Sequence, residues 1–259
     1  MERVAVVAAV RTPVGKFGGA LKDVQASTLG ATVLREAVRR AGIDPAEVDD
    51  VIMGHVLTNG ETPNVARMAA LEAGFPVEVP AYTLDRQCGS GLQAIVNGAM
   101  QIQTGNARVV LAGGVESESN AEYYVTGARW GLRLGTHGFK DRLRGTDEMV
   151  SCPARFGPIP GMIHTAEVVA ERYAVSREEQ DLFALRSHRG AVAAADAGKF
   201  EEEIVPVEVE EPKRGKVVVD RDEQPRADTS LEALAKLPPV RGKTVTAGNS
   251  SSINDGAAV

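Results

Sequence analysis

Cysteine is scarce in this chain: 259 residues contain two, Cys88 and Cys152, too few for a disulfide framework. No signal-peptide pattern follows Met1, so the chain is expected in the cytoplasm with both thiols reduced. Long apolar runs are also missing, and no membrane span is expected. Basic charge is not in excess. The 29 Lys and Arg face 35 Asp and Glu, a net charge of −6, which argues against nucleic acid as the main partner. The basic group Lys140, Arg142 and Arg144 reads as a solvated face. There is no repeat or low-complexity segment. What is present is an ordinary globular balance, 43% hydrophobic and 25% charged, with enough length to bury a substantial core.

The apolar pattern alternates between strand and helix. Residues 2–15 (ERVAVVAAVRTPVG) read as a strand buried on both faces, because the Val and Ala run is continuous rather than alternating. Leu29, Val33, Leu34, Ala37 and Val38 mark an amphipathic helix over residues 27–41 that Gly42 stops. Asp44 and Pro45 start a short helical turn. VIMGHVL (51–57) is a second strand, residues 63–73 a second helix, and residues 108–112 a further strand. This order gives an α/β first part with parallel strands. From residue 121 to 161 the pattern dissolves into a long excursion holding Tyr123, Tyr124, Trp130, Phe139 and Phe156, the length of a lid, binding loop or oligomer contact. Helices return over residues 162–174 and 176–197, the latter opened by a Ser176 and Glu179 capping box. EIVPVEVEEPKRGKVVVDRDE (203–223) reads as a hairpin about a Lys213 to Gly215 turn. The last segment, TVTAGNSSSINDGAAV (244–259), reads as a strand, a turn, and then the first turn of a helix.

The stretch 81–100, AYTLDRQCGSGLQAIVNGAM, organises the rest. A strand breaks at Cys88 into a glycine-containing turn and then a helix whose Leu92, Ile95, Val96, Ala99 and Met100 share a face expected to pack inward. Cys88 then lies at a helix N-terminus, where unpaired N–H groups and the macrodipole favour a thiolate. Gly89 and Gly91 keep the approach to sulfur open. Composition alone favours an inert core cysteine, and the strand, glycine and helix context brings the reactive reading level with it. The four histidines are read as structural.

Taken together, DRQCGSGLQAI (85–95), AGGVESES (112–119) and TAGNSSSINDGAA (246–258) resemble the thiolase family, the acetyl-CoA acetyltransferases and 3-ketoacyl-CoA thiolases. The resemblance continues through RTPVGKFGG, GHVLTNGETPNVARMAA, HTAEVVAERYAVSREEQDLFALRSHRGA and GKFEEEIVPVEV, nearly the whole chain. It implies a layered α/β half, a mixed sheet with helices, with an inserted α+β loop domain: residues 1–119 and 247–259 as the N-terminal domain and 120–246 as the insert. It implies acyl transfer between coenzyme A thioesters, acyl-CoA and CoA being substrates, with no metal and no further cofactor. Cys88 matches the family's acyl-accepting nucleophile, and its N–H matches one oxyanion donor. Met162, Arg226, Ala247, Ser251 and Ile253 match positions that line the coenzyme A site in relatives. Arg226 is then a partner for the nucleotide or its phosphate, Ser251 for the pantetheine amide, and Met162 and Ile253 for apolar walls. Read without the resemblance, Arg226 is a surface charge, Met162 and Ile253 are core, and Ser251 is a helix cap.

Departures accompany the match. Gly161 stands where relatives often carry histidine, Ala233 where some have serine, Glu118 where methionine is common, and Asp85 and Arg86 replace an Asn-containing pair. The family's activating histidine, second cysteine and water-positioning asparagine belong to a second half, and none maps onto this chain. Cys152 does not match the second cysteine. The chain is therefore expected to need a C-terminal half, as a continuation or as a partner chain, within a homo- or hetero-oligomer, and to be inactive alone. The resemblance also implies that the first half is incomplete, since in relatives a helix beginning near Asn254 continues and a further strand pairs with the sheet. A chain ending there is expected to expose an apolar helix face and a sheet edge. A non-catalytic acyl-CoA-binding or scaffold subunit is the alternative from another class. A regulatory Cys88 to Cys152 disulfide is a third.

Overall fold

The structure, a computed structural model, describes residues 3–135, 137–143, 155, 157, 161–212 and 214–259. Contacts divide the chain into two compact units, each built from separated segments. The first comprises residues 1–120, 200–224 and 253–259; the second, residues 121–199 and 225–252. The division differs from the boundaries expected at 119/120 and 246/247. Residues 200–224 join the first unit, and residues 247–252 join the second.

The first unit holds a five-stranded mixed sheet. Its strands are β1 (Gly15–Lys16), β2 (Asp50–Gly54), β3 (Ala81–Leu84), β4 (Val110–Ser117) and the last strand, Asn254–Ala258. The spatial order is β1, last strand, β4, β2, β3. β2 is parallel to β3 and β4 with Val51 opposite Ala81 and Leu111, whereas the last strand is antiparallel to both β1 and β4. Parallel neighbours need helical crossovers, supplied here by α2 (Val65–Glu72) and α3 (Ser90–Gln103). α1 (Ala26–Ala41) ends where Gly42 turns left-handed at φ 68°, its N–H bonded to the Arg39 carbonyl. Arg39 and Arg40 in the last turn complement the helix dipole and pair with Glu36, which they hold at a pKa of about 2. α1 and α2 cover one side of the sheet, and Leu29, Val33, Leu34, Val51, Met53 and Val65 are buried there completely.

Three expectations need correction. Residues 4–9 are not a buried strand: Val6 and Val7 are 81% and 72% exposed. Pairing begins at Val10 and Thr12, which bond the backbone of Val259 and Ala257, and no strand flanks residues 4–9 among the described residues. A continuous Val and Ala run states a demand for cover, and cannot name the neighbour that meets it. The face of α3 read as inward points out instead, with Leu92 69% and Met100 56% exposed. The helix sits on the sheet through Ser90, Ala94 and Gly98. The final segment is a strand rather than a helix start. Gly113 of β4 approaches it so closely that a Cβ there would lie 1.9 Å from the Ala258 carbonyl oxygen, an approach that helical backbone would not make.

The second unit carries a short pair, β5 (Tyr123–Tyr124) and β6 (Lys140–Asp141). Its helices are α4 (Met162–Tyr173), α5 (Arg177–Asp196) and α6 (Leu231–Ala235). The capping box forms at the start of α5: Ser176 Oγ accepts from the Glu179 N–H, and Glu179 Oε2 from the Ser176 N–H, at 3.1 and 2.8 Å. Ala184, Leu185 and Leu234 make a small core. Arg144, Cys152, Phe156 and the turn residue Lys213 lie outside the described residues.

The hairpin forms, as β7 (Val207–Glu211) and β8 (Gly215–Val219) in register Val207 to Val219. It belongs to the first unit because its apolar side, Val205, Val207, Val209 and Val219, enters the main core. Arg11 secures it. The guanidinium bonds both oxygens of Asp222 at 2.7 and 3.0 Å and Glu203 at 2.7 Å, and lies 5.2 Å over the Phe200 ring. With its side chain only 20% exposed, Arg11→Met leaves Asp222 without its charge partner and is expected to cost about 2 kcal/mol, measurable by urea unfolding.

Candidate active site

Cys88 lies in a tight turn between β3 and α3. Asp85 Oδ1 accepts the Gln87 N–H at 2.7 Å. Ser90 Oγ accepts the Arg86 N–H at 2.8 Å and donates to the Gln87 carbonyl at 2.6 Å. These bonds force Gln87 to φ 52°, left-handed for a residue with a side chain, a cost repaid only by surrounding structure. Gly89 is the N-cap and makes no side-chain capping bond, so Cys88 precedes the helix by two residues. The thiol is free and exposed. Cys88 is therefore not a core residue.

The turn stands at the carboxyl ends of parallel β2, β3 and β4, the edge where open α/β sheets collect ligands. Gly54 ends β2 there. A Cβ on it would lie 2.4 Å from the Ser90 carbonyl carbon and 2.5 Å from the Gly91 nitrogen, so only glycine lets the start of α3 rest on the sheet. Beside it opens a cavity of about 350 Å³ lined by Arg11, Thr12, His55, Gln87, Cys88 and Glu116 among others.

His55 and Glu116 are cavity-wall residues that sequence reading passed over. His55 is 3% exposed. Its Nδ1 is 2.9 Å from both the Val115 carbonyl oxygen and Glu116 Oε1. Both partners are acceptors, so Nδ1 carries the proton. Glu116 also accepts the N–H groups of Val56 and Leu57, at 2.9 and 3.1 Å. The available signal was position, since His55 directly follows the last residue of β2. Two further carboxylates adjoin. Asp255, fully buried, accepts from the Ser119 N–H and hydroxyl at 2.8 and 2.6 Å. Glu118 accepts the Asn254 N–H at 2.6 Å, and its pKa is raised by burial and by the charges of Glu116 and Asp255 despite that bond.

The remaining residues carried over from the resemblance divide between the units. Ile253, 44% exposed, lies in the first with Cys88, and its carbonyl accepts the Phe17 N–H. Met162, Arg226, Ala247 and Ser251 lie in the second. Met162 opens α4 and is 68% exposed, so neither it nor Ile253 is core. Arg226 is exposed, its N–H 3.2 Å from His188 Nδ1. Ala247 and Ser251 are exposed in the segment before the last strand, and Ser251 caps no helix. His164 is exposed on α4. Among the described residues no group of three or more His, Cys, Asp or Glu could hold a metal ion.

A family model described as the thiolase N-terminal domain matches residues 4–259. The chain is 48% identical over 262 residues to an acetyl-CoA acetyltransferase of Pseudomonas aeruginosa, covering 100% of this chain and 65% of that protein. It is 44% identical over 261 residues to a probable acetyl-CoA acyltransferase of Staphylococcus aureus, with the same shares covered. Among solved structures, the acetyl-CoA acetyltransferase of Bacillus anthracis superposes with a TM-score of 0.91 at 48% identity, over 98% of this chain and 63% of that one. The chain thus spans 65% of the length of these curated relatives.

Two outcomes test the geometry. Gly54→Ala is expected to displace the start of α3 and slow alkylation of Cys88 by iodoacetamide by roughly tenfold. Gly60→Ala, where an added Cβ meets nothing within 4 Å, leaves the rate unchanged. Glu118→Gln keeps the acceptor for the Asn254 N–H and removes the buried charge. Because the folded pKa of Glu118 is raised, its contribution to stability is present below the unfolded value and lost as pH rises through the folded one. The variant should therefore melt higher than the parent at pH 7, with the gap closing below about pH 4 in a thermal melt series.

Proposed function

The chain belongs to the thiolase family, and from that premise we propose that it transfers acyl groups between coenzyme A thioesters through an acyl-cysteine at Cys88. The exposed thiol on a strained turn at the carboxyl ends of three parallel strands carries this reading. The Cys88 thiolate attacks the thioester carbonyl, the new S–C bond forms, the old one breaks, and the departing CoA sulfur takes a proton. The Cys88 N–H, ahead of α3, is suited to the oxygen on which charge develops. In condensation the α-carbon of acetyl-CoA loses a proton and takes the acyl group from Cys88. In thiolysis the Cys88 thiolate attacks the 3-keto carbonyl of a 3-ketoacyl-CoA instead, the C2–C3 bond breaks, and acetyl-CoA leaves as C2 takes a proton. A CoA thiol then takes the acyl group and gives up its proton. Met162, Arg226, Ala247, Ser251 and Ile253 bind the coenzyme A moiety, and no further cofactor is called for.

The second step needs an acid and a base, and the reading assigns them to sequence beyond these 259 residues, in continuation or on a partner chain. Two observations support this. The relatives are longer than the part matched here. Leu92, Ile95 and Met100 of α3 and Val6 and Val7 stand exposed in the first unit, an apolar surface of the kind another polypeptide covers. The same reading makes the working form an oligomer in the cytoplasm. No described helix is long and apolar enough to cross a membrane.

Incubation with acetyl-CoA, with and without a polypeptide supplying the remaining sequence, followed by intact-mass analysis, is the test. One acetyl group is expected on the parent chain, mapped to Cys88 and absent from Cys88→Ala. No adduct in either condition rejects Cys88 as the acyl acceptor. An adduct together with unchanged turnover in Cys88→Ala would leave only a binding role.

A further inference from the structure

Within the second unit, residues 243–249 are fixed by two carboxylates from different helices. Glu167 of α4 accepts the N–H groups of Lys243, Thr244 and Val245 through Oε1, at 3.0, 2.9 and 2.8 Å. Its Oε2 accepts the Thr244 hydroxyl at 2.9 Å. Asp181 of α5 is 3% exposed. Its Oδ1 accepts from Asn249 Nδ2 at 2.9 Å and its Oδ2 from Arg177 Nε at 2.8 Å. Asn249 closes the loop on itself, accepting the Thr246 N–H at 2.8 Å and donating to the Thr244 carbonyl at 3.1 Å. Arg177 ties in the end of α6 through the carbonyls of Leu234 and Leu237, at 2.7 and 3.1 Å.

Such a segment could leave its N–H groups to water at little cost. Here two carboxylates are committed to it instead, one of them buried with its charge balanced by Arg177. Burial works against the ionised form of Glu167, yet the bonds from Val245, Thr244 and Lys243 hold its pKa below the ordinary value, so the acceptor persists through the neutral range. The outcome is a rigid base from which exposed Ala247 and Ser251 project.

We infer that Glu167 and Asp181 are positioning residues for the pantetheine arm of coenzyme A, fixing residues 243–249 so that Ala247, and Ser251 two residues beyond Asn249, meet it in a preformed arrangement. This rests on the reading above that those two residues line the coenzyme A site. Neither carboxylate touches the ligand. Preformation spares the binding step the entropy of ordering a loop.

Calorimetric binding of CoA and of adenosine 3′,5′-bisphosphate, its nucleotide portion, to the full 259-residue chain tests this. Glu167→Ala is expected to weaken CoA about tenfold and leave the nucleotide unchanged. Glu167→Gln, which retains the oxygen serving three N–H groups, keeps most of the CoA affinity. Asp181→Asn, if it folds, follows the alanine variant. Equal CoA affinity in all variants overturns the positioning role and leaves the coenzyme A reading standing. Equal loss of CoA and nucleotide affinity with a lowered melting temperature shows a structural role only and also overturns it. A parent chain that binds neither probe overturns the coenzyme A reading and this inference together.

Discussion

A missing side chain governs the site. At Gly54 the backbone of β2 and the backbone at the start of α3 come so close that a single methyl group would lie 2.4 Å from the Ser90 carbonyl carbon, well inside van der Waals contact. That contact sets where α3 begins, and where α3 begins sets where the Cys88 turn can stand. The strain at Gln87, the two bonds of the Ser90 hydroxyl and the Asp85 bond are then local solutions to one problem, which is to bring the chain from β3 into a helix seated on β2 and β4. The stability of the turn is borrowed from the sheet beneath it. A cysteine held this way is presented by rigid elements, which suits an attacking atom that must meet a carbonyl within narrow limits.

The elements around it were legible in the sequence where the pattern is local. The α1 periodicity with Gly42 after it, the Asp44 and Ser176 caps and the hairpin valines each state their structure within a few residues, and each forms. Failures fall where the deciding neighbour is remote. The Val and Ala run of residues 4–9 and the apolar face of α3 are written for burial, but a periodicity names a face and never what covers it. The last segment reads locally as a turn leading into the first turn of a helix. Its strand state is decided by β1 and β4, more than a hundred residues away. Tertiary pairing overrides local preference there.

The site itself was legible in part. Cys88 could be singled out from the change of period around it, together with the glycines. His55 and Glu116 could not, since neither sits in a pattern that announces chemistry; they meet because β2 and β4 are neighbours in register. The same applies to Glu167 and residues 243–245, brought together by a helix and a loop 76 to 78 residues apart. The contacts that tune a site are long-range hydrogen bonds, and these leave almost no trace in a single sequence.

The position of the last strand carries a consequence for how the chain comes into being. Residues 254–258 lie inside the sheet, between β1 and β4, yet they leave the ribosome after nearly everything else described here. Until they arrive, one side of β4 is an open ladder, able to pair with any extended chain nearby. Closing it joins segments with some 140 residues between them, a slow kind of step because loop closure precedes any gain from pairing. Synthesis therefore passes through a stage in which the sheet beneath Cys88 is still missing an interior member, and shielding that slot is the demand this topology places on the cell.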